Sequence, residues 1–231
     1  ICIPAYDMGG QGGLYLKQSF EKLTEQSYQD FEVVVSDQSE SDAVWRTCAA
    51  FSDRLDIKRV SFSEGPRQAS ANTNNAMRHA RGEIVKILFQ DDLLARMDAL
   101  SLTAQVFDTE AVWMLCGSAV TRDGITAERP MIPRLNPQIR FGKNTVSSPS
   151  VLAVRRERAL EFDEDLVWLM DVEIYHRLNF ELGPPQIVPD VLIWNRLHTG
   201  QVSAAVSPEL RKKELLYVRQ KTRMMETLGN K

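Results

Sequence analysis

Residues 82–92 read Gly82-Glu83-Ile84-Val85-Lys86-Ile87-Leu88-Phe89-Gln90-Asp91-Asp92, an apolar run that stops at two adjacent carboxylates. Because side chains alternate between the two faces of a strand, Asp91 and Asp92 cannot both enter a core. An unpaired carboxylate is costly to bury, and open α/β folds bind ligands outside the carboxyl ends of their strands. The segment therefore predicts a β-strand that carries two carboxylates to a ligand site.

This carboxylate pair has two chemical interpretations. Aspartate oxygens suit Mg²⁺ or Mn²⁺, especially where the ion also holds substrate phosphates. The alternative is a turn in which the pair caps the helix that follows. The motifs in the rest of the chain decide between the two.

Composition sets the limits within which those motifs are interpreted. The 231 residues are 43% hydrophobic and 26% charged, which is typical of a globular protein with a full core. A net charge of −3 gives no electrostatic reason to expect nucleic-acid binding. No apolar run approaches the roughly 20 residues that cross a bilayer. The three widely spaced cysteines indicate reduced thiols in a cytosolic protein.

The first half of the chain alternates strand and helix signals. Strands separated by helices of this length imply right-handed crossovers, so we expect a Rossmann-like, mostly parallel sheet flanked by helices. The predicted strands are 1–5, 31–36, 57–62, 84–89 and 112–116, and the predicted helices are 14–26, 42–51, 69–81 and 97–107.

The order breaks after residue 117. Residues 122–147 hold three prolines without periodicity, and a loop of this length is typically a functional lid or disordered. The pattern then predicts a strand at 151–154, a helix at 172–182 and a strand pair or bent strand at 187–194. A basic, partly amphipathic helix follows at 208–228.

The order of short motifs along the chain resembles that of the family 2 glycosyltransferases of the A-type fold, from Ile3 to about Ser203. These are inverting, metal-dependent enzymes that use nucleotide-diphosphate sugars. No single motif is decisive, but chance rarely places seven in the family's order and approximate spacing. They are Ile3-Pro4-Ala5-Tyr6, Gln26-Ser27-Tyr28, residues 31–39, Asn74 with Ala80-Arg81-Gly82-Glu83, Asp91-Asp92, Asp171, and Arg196 with His198.

The resemblance implies a role for each matching residue. One glycosyltransferase domain would span residues 1–231, with a nucleotide-sugar half at 1–118, an acceptor half at 119–205 and the C-terminal basic helix at 206–231. Asp171 would be the catalytic base, and Asp92 with His198 would hold Mn²⁺ or Mg²⁺, although the sequence leaves open which of the two adjacent aspartates ligates the ion. The nucleotide would contact Pro4, Ala5, Tyr6, Asp37, Arg67, Asn74 and Asp91.

Three positions depart from the family pattern. Ser36, Phe89 and Met170 stand where the family usually carries an acid. The change at Ser36 puts in question which nucleotide base the protein binds, and the changes at Phe89 and Met170 put its level of activity in question. Structural alternatives also stay open: Asp37 and Asp171 suit helix caps, and Glu173 is the second candidate for the base. The glycine-rich loop at 9–13 matches neither GxGxxG nor a phosphate loop, so we expect a flexible loop over the nucleotide.

The favoured function is transfer from a nucleotide-diphosphate sugar, preferably a UDP-sugar, to a glycan or lipid-linked acceptor. A sugar-phosphate nucleotidyltransferase is one alternative, but residues 7–14 lack the basic residue that its glycine-rich loop would carry. A non-catalytic relative that binds a sugar nucleotide or glycan is the other, because acids are missing at Phe89 and Met170.

The basic tail leaves two interpretations of residues 208–231. It could lie on anionic lipid, which would place a cytoplasmic enzyme at the inner face of the membrane. It could instead pack on its own domain or on a second subunit of a homo-oligomer. We favour packing, because its apolar positions do not form one clean stripe.

Overall fold

The first half of the chain forms the predicted parallel sheet. The structure is a computed structural model that describes residues 1–229, without the side chains of 203, 204 and 229. Val33, Val34 and Val35 are fully buried, as expected for a strand covered by helices on both faces. The strands β1 (Cys2–Ala5), β2 (Val33–Asp37) and β3 (Ile57–Ser61) are parallel. Helix α1 (Gly12–Thr24) connects β1 to β2, α2 (Ala43–Phe51) connects β2 to β3, and α3 (Ala69–Arg78) follows β3.

The strand at the centre of the prediction joins this sheet to a second one. β4 covers only Ile84–Lys86, and the chain continues extended so that the Leu88 N–H donates to the Cys2 carbonyl oxygen at 3.0 Å. On its other side β4 pairs with the antiparallel strand β8 (Leu152–Arg155), which in turn pairs with β6 (Trp113–Thr121). The predicted α/β fold is therefore confirmed, with an antiparallel strand inserted into the parallel set.

The second half completes the sheet with a bent strand, as the sequence predicts. β9 (Gln186–Arg196) runs parallel to β6 and antiparallel to β5 (Leu93–Leu94), and its register with β6 shifts at Gly117. A Cβ atom at Gly117 would lie 2.6 Å from the Asp190 carbonyl oxygen, so glycine allows this close backbone approach. Helix α4 (Ala99–Phe107) connects β5 to β6.

Residues 122–147 have more regular structure than the expected loop. They contain β7 (Ala127–Met131), which forms a hairpin with β6, and a 3₁₀ helix at Pro137–Phe141. Asn136 caps that helix by accepting a hydrogen bond from the Gln138 N–H at 2.9 Å. The long segment is therefore held against the sheet at one end and against the C-terminal helix at the other.

The tail packs on its own domain, as the favoured interpretation expects. α5 (Met170–Leu182) and a short α6 (Val202–Ala205) precede α7 (Pro208–Gly229), so the last two residues of the predicted tail lie outside the described residues. Glu214, Val218 and Thr222 on α7 are buried against the domain. Within residues 1–229, no helix combines the length and the apolar content that would span a membrane. Cys2, Cys48 and Cys116 are buried and free.

Candidate active site

One cavity of about 780 Å³ lies at the carboxyl ends of β1 and of the β4 segment. This is where a doubly wound sheet is expected to bind its ligand. Asp37, Asn74 and Ala5 were also predicted to bind the nucleotide, but they do not line the cavity. The predicted site residues that line it are Pro4, Tyr6, Arg67, Asp91, Asp92, Asp171 and His198.

The β1 end of the cavity carries a ring and a guanidinium group. The Tyr6 side chain is 42% exposed, while its backbone N–H donates to the Gln90 Oε1 at 3.0 Å. Arg67 forms an ion pair with Glu40 across the same rim. Ala5 is fully buried and contributes only through its carbonyl oxygen, which accepts a hydrogen bond from the Asn72 amide at 3.0 Å.

Asp37 and Asn74 are engaged inside the protein. The Asp37 carboxylate accepts hydrogen bonds from the Arg59 guanidinium at 2.8 Å and from the Ser39 N–H at 2.9 Å. Asn74 is fully buried and exchanges two hydrogen bonds with the backbone of Phe162, at 2.8 and 2.7 Å. Both side chains therefore hold loops in place, and their predicted contacts with a nucleotide stay predictions.

Asp91 reaches the cavity and pairs with the late histidine. The His198 Nε2 lies 2.9 Å from the Asp91 Oδ2, although 107 residues separate the two in the chain. The Tyr15 ring packs 5.3 Å from the imidazole and fixes its position. The Gly200 N–H donates to the His198 Nδ1 at 3.2 Å, so the Nε2 carries the proton and donates to Asp91. A divalent ion that replaces this proton would find a hard oxygen ligand and an imidazole nitrogen at the strand end, and would take its remaining ligands from phosphate oxygens.

Asp92 also borders the cavity, but its carboxylate is buried and bonded within the protein. It is 3% exposed, and it accepts hydrogen bonds from the Ser150 Oγ at 2.6 Å, the Ser148 Oγ at 3.0 Å and the Arg196 N–H at 3.1 Å. Burial raises its pKa to about 7. Its oxygens therefore tie the strand end to residues 148–150 and to the end of β9.

No metal cluster formed by protein side chains alone exists among residues 1–229. No three His, Cys, Asp or Glu side chains there are placed to hold one ion. An ion at Asp91 and His198 would therefore depend on oxygens from a bound diphosphate, as is usual for Mg²⁺ at phosphate-transfer sites.

Asp171 lies in the first turn of α5, with its carboxylate in the cavity. Its Oδ1 accepts the Val172 N–H at 2.7 Å, and its Oδ2 accepts the Asn144 amide at 2.6 Å. Burial raises the pKa of this carboxyl group to about 7. A group with a pKa near neutrality is well matched to taking up a proton at physiological pH.

Glu173, the second candidate for the base, does not line the cavity. It is 4% exposed, and its carboxylate pairs with Arg177 at 2.7 Å and with Lys221 at 2.9 Å. These two cations neutralise the carboxylate inside the protein. The geometry therefore favours Asp171 over Glu173 as the base.

A family model described as glycosyl transferase family 2 matches residues 1–163 of the chain. The chain belongs to glycosyl transferase family 2. Two further relatives match more weakly. Glycosyltransferase GlyG of Streptococcus pneumoniae is 27% identical over 48% of this chain and 36% of its own length. The uncharacterized protein y4gI of Sinorhizobium fredii is 30% identical over 64% of this chain and 16% of its own.

Solved structures show the same A-type fold for this family 2 chain. S. aureus TarS in complex with UDP-GlcNAc superimposes with a TM-score of 0.74 at 18% identity, covering 96% of this chain and 64% of that one. The mannosyltransferase PcManGT from Pyrobaculum calidifontis, in complex with GDP-Man and Mn²⁺, gives 0.61 at 19% identity, covering 99% and 73%. The chain thus spans about a third or less of the curated relatives and roughly two thirds of the TarS chain.

Two further residues of this family 2 site are not predicted from the sequence, because no motif or spacing marks them. Asn72 lines the cavity, and its Oδ1 is buried without a hydrogen-bond partner in the described part of the chain. Glu214 on α7 accepts hydrogen bonds from the backbone N–H groups of Val167, Trp168 and Leu169, at 2.8–2.9 Å. This carboxylate thereby fixes residues 167–169, which lead into α5, and so helps to position Asp171.

We expect Glu214→Ala to lower the free energy of unfolding by roughly 3 kcal/mol, because one buried and two partly buried N–H donors lose a charged acceptor. Urea denaturation followed by circular dichroism measures this change. Glu181→Ala, which removes an exposed carboxylate from α5, is the control and should change stability by less than about 0.5 kcal/mol. Equal stability of both variants would contradict the role of Glu214.

Proposed function

We propose that this domain transfers a sugar from a nucleotide-diphosphate donor, preferably a UDP-sugar, to a hydroxyl of a glycan or lipid-linked acceptor. The observation that carries the proposal is the single cavity shared by the Asp91–His198 pair and the high-pKa carboxyl of Asp171. The Asp91–His198 pair suits the binding of a diphosphate through a metal ion, and Asp171 suits the acceptance of a proton. Family membership and the nucleotide sugars bound by TarS and PcManGT support the same choice.

In the proposed reaction Asp171 accepts the proton of the acceptor hydroxyl as its oxygen attacks the anomeric carbon. The bond from that carbon to the diphosphate breaks on the opposite face, so the anomeric centre is inverted without a covalent enzyme intermediate. Asn144 orients the carboxylate, because the same amide also donates to the Ser147 carbonyl at 3.0 Å and is fixed by it. The nucleoside diphosphate leaves with both bonding electrons.

We propose that Asp91 and His198 would hold Mn²⁺ or Mg²⁺, with Asp92 as the residue that positions this strand end. Both aspartates line the cavity, and the preference for Asp91 rests on its greater exposure and on the three donors that already occupy the Asp92 oxygens. When bound, the ion supplies positive charge beside the leaving diphosphate. Met131, Gly142 and Asn144 line the cavity, so the 122–147 segment would cover the acceptor side and exclude water.

A transfer assay tests this proposal. The chain is incubated with UDP-GlcNAc, UDP-glucose or GDP-mannose and Mn²⁺, with a panel of glycan and lipid-linked acceptors, and released nucleoside diphosphate is measured. We expect release with one donor and acceptor, stimulation by Mn²⁺, and a product of inverted configuration by NMR. A retained configuration, or nucleotide binding without any turnover across the panel, would contradict the proposal and favour the binding relative.

We expect the transfer rate to rise with pH through about 7, because only the deprotonated Asp171 accepts a proton. The Asn144 amide stabilises the charged carboxylate and lowers its pKa, so Asn144→Ala should move this rise to higher pH. The pH dependence of kcat/KM for the two proteins measures the shift. An unchanged profile, or one displaced to lower pH, would be inconsistent with this hydrogen bond acting on the base.

A further inference from the structure

A second cavity, of about 280 Å³, lies between the 3₁₀ helix at Pro137–Phe141 and α7. It has several times the volume of one water molecule, which occupies about 30 Å³. The lining of this cavity is net positive, with three guanidinium groups and one carboxylate, whereas the whole chain is net negative. The lining consists of Arg140, Phe141, Arg219, Thr222, Arg223 and Glu226.

The arginines in this cavity are poorly neutralised. Arg140 lies 3.5 Å from the Glu226 carboxylate and stacks 4.8 Å from the Phe141 ring. Among residues 1–229, neither Arg219 nor Arg223 has an acidic partner. Arg140, Arg219 and Arg223 are all exposed at the cavity, so an oxyanion bound there would accept charge-assisted hydrogen bonds from guanidinium groups that lack a full set of carboxylate partners.

The Thr222 hydroxyl adds a neutral donor that is open to the cavity. A helical threonine usually bonds the carbonyl four residues earlier, as the Thr227 Oγ1 does with the Arg223 oxygen at 2.8 Å. The Thr222 hydroxyl makes no such bond within the described chain, although the residue is 6% exposed. An unused donor and three planar guanidinium forks together match the tetrahedral oxygens of a phosphate group.

We propose that the cavity between the 3₁₀ helix and α7 binds a phosphate-type oxyanion. Lys212, seven residues before Arg219 and on the same helix face, extends the positive surface beyond the cavity. The 3₁₀ helix contributes Arg140 and Phe141 to this cavity, and Gly142, the next residue in the chain, lines the larger one. The phosphate could belong to a lipid headgroup or to a soluble molecule, and this site does not depend on the proposed sugar transfer.

Titration with inorganic phosphate, followed through the arginine Nε–H resonances in NMR spectra of the whole chain, tests the site. We expect the signals of Arg140, Arg219 and Arg223 to shift saturably, beyond the effect of NaCl at equal ionic strength. Arg219→Gln and Arg223→Gln should each weaken phosphate binding at least tenfold. Lys213→Gln, an equal charge change at an exposed position of α7 outside the cavity, should not.

Co-sedimentation with phosphatidylglycerol vesicles identifies the source of the phosphate. Binding that Arg219→Gln and Arg223→Gln abolish assigns the site to a lipid headgroup, while phosphate binding without vesicle binding assigns it to a soluble phosphate. The proposal is overturned if phosphate causes no saturable shift in the unsubstituted protein, or if both arginine variants bind phosphate like Lys213→Gln. If a variant fails to fold, the phosphate titration of the unsubstituted protein still tests whether the site exists.

Discussion

Asp171→Asn is expected to reduce sugar transfer by about 10²- to 10⁴-fold, because the acceptor hydroxyl loses the group that takes its proton. The amide keeps the size of the side chain and a carbonyl oxygen that can accept the Val172 N–H, so the fold and donor binding should be retained. Initial rates at saturating acceptor measure the loss, and calorimetric titration with UDP measures the donor affinity.

The control for this variant is Asp165→Asn, which removes an equal charge from an exposed loop position near α5. It should transfer sugar at the normal rate. A rate for Asp171→Asn within a fewfold of the unsubstituted protein would disprove its role as the base. Because the Glu173 carboxylate is ion-paired with Arg177 and Lys221, the proton of the acceptor hydroxyl would then have to pass to water or to the substrate.

Asp91→Ala and His198→Ala should each weaken Mn²⁺-dependent binding of UDP by at least tenfold. Each change removes one of the two side chains that meet at the strand end, and an ion with few protein ligands loses much of its affinity with either. Thermal shift with UDP, in the presence of Mn²⁺ or of a chelator, gives the metal-dependent part of the binding. The unfolding temperature without ligand should change little.

Asp92→Asn is the comparison that separates the two neighbouring carboxylates. It should lower the unfolding temperature, because the carbonyl oxygen of Asn can replace only one of the two carboxylate oxygens. Its NH2 group would then face either the Arg196 N–H or the two serine hydroxyls, from which it cannot accept a hydrogen bond. Metal-dependent UDP binding by the folded fraction should persist. If Asp92→Asn abolishes that binding while Asp91→Ala retains it, the metal belongs to Asp92, as the sequence resemblance first placed it.

The sequence by itself determined the layered α/β architecture. The three valines of β2 and an apolar run before two carboxylates are local signals, because each depends on the periodicity of adjacent residues. Gly82 was expected to end the preceding helix, but α3 ends at Arg78, with His79 as its C-cap. The same locality explains why the sequence predicts a ligand site at this strand end, where the structure has a cavity. It also explains why the regular structure within residues 122–147 was missed, since β7 forms only by pairing with β6.

Only the tertiary structure decided which side chains share the cavity. Asp91 and Asp92 are neighbours of the same chemical type, and the sequence leaves open which of them faces the ligand. Ser148 and Ser150 hold Asp92 inside the protein, and His198 meets Asp91 at the cavity. These partners lie 56 to 107 residues away in the chain, and no local pattern encodes contacts made by loops that fold back onto a strand end.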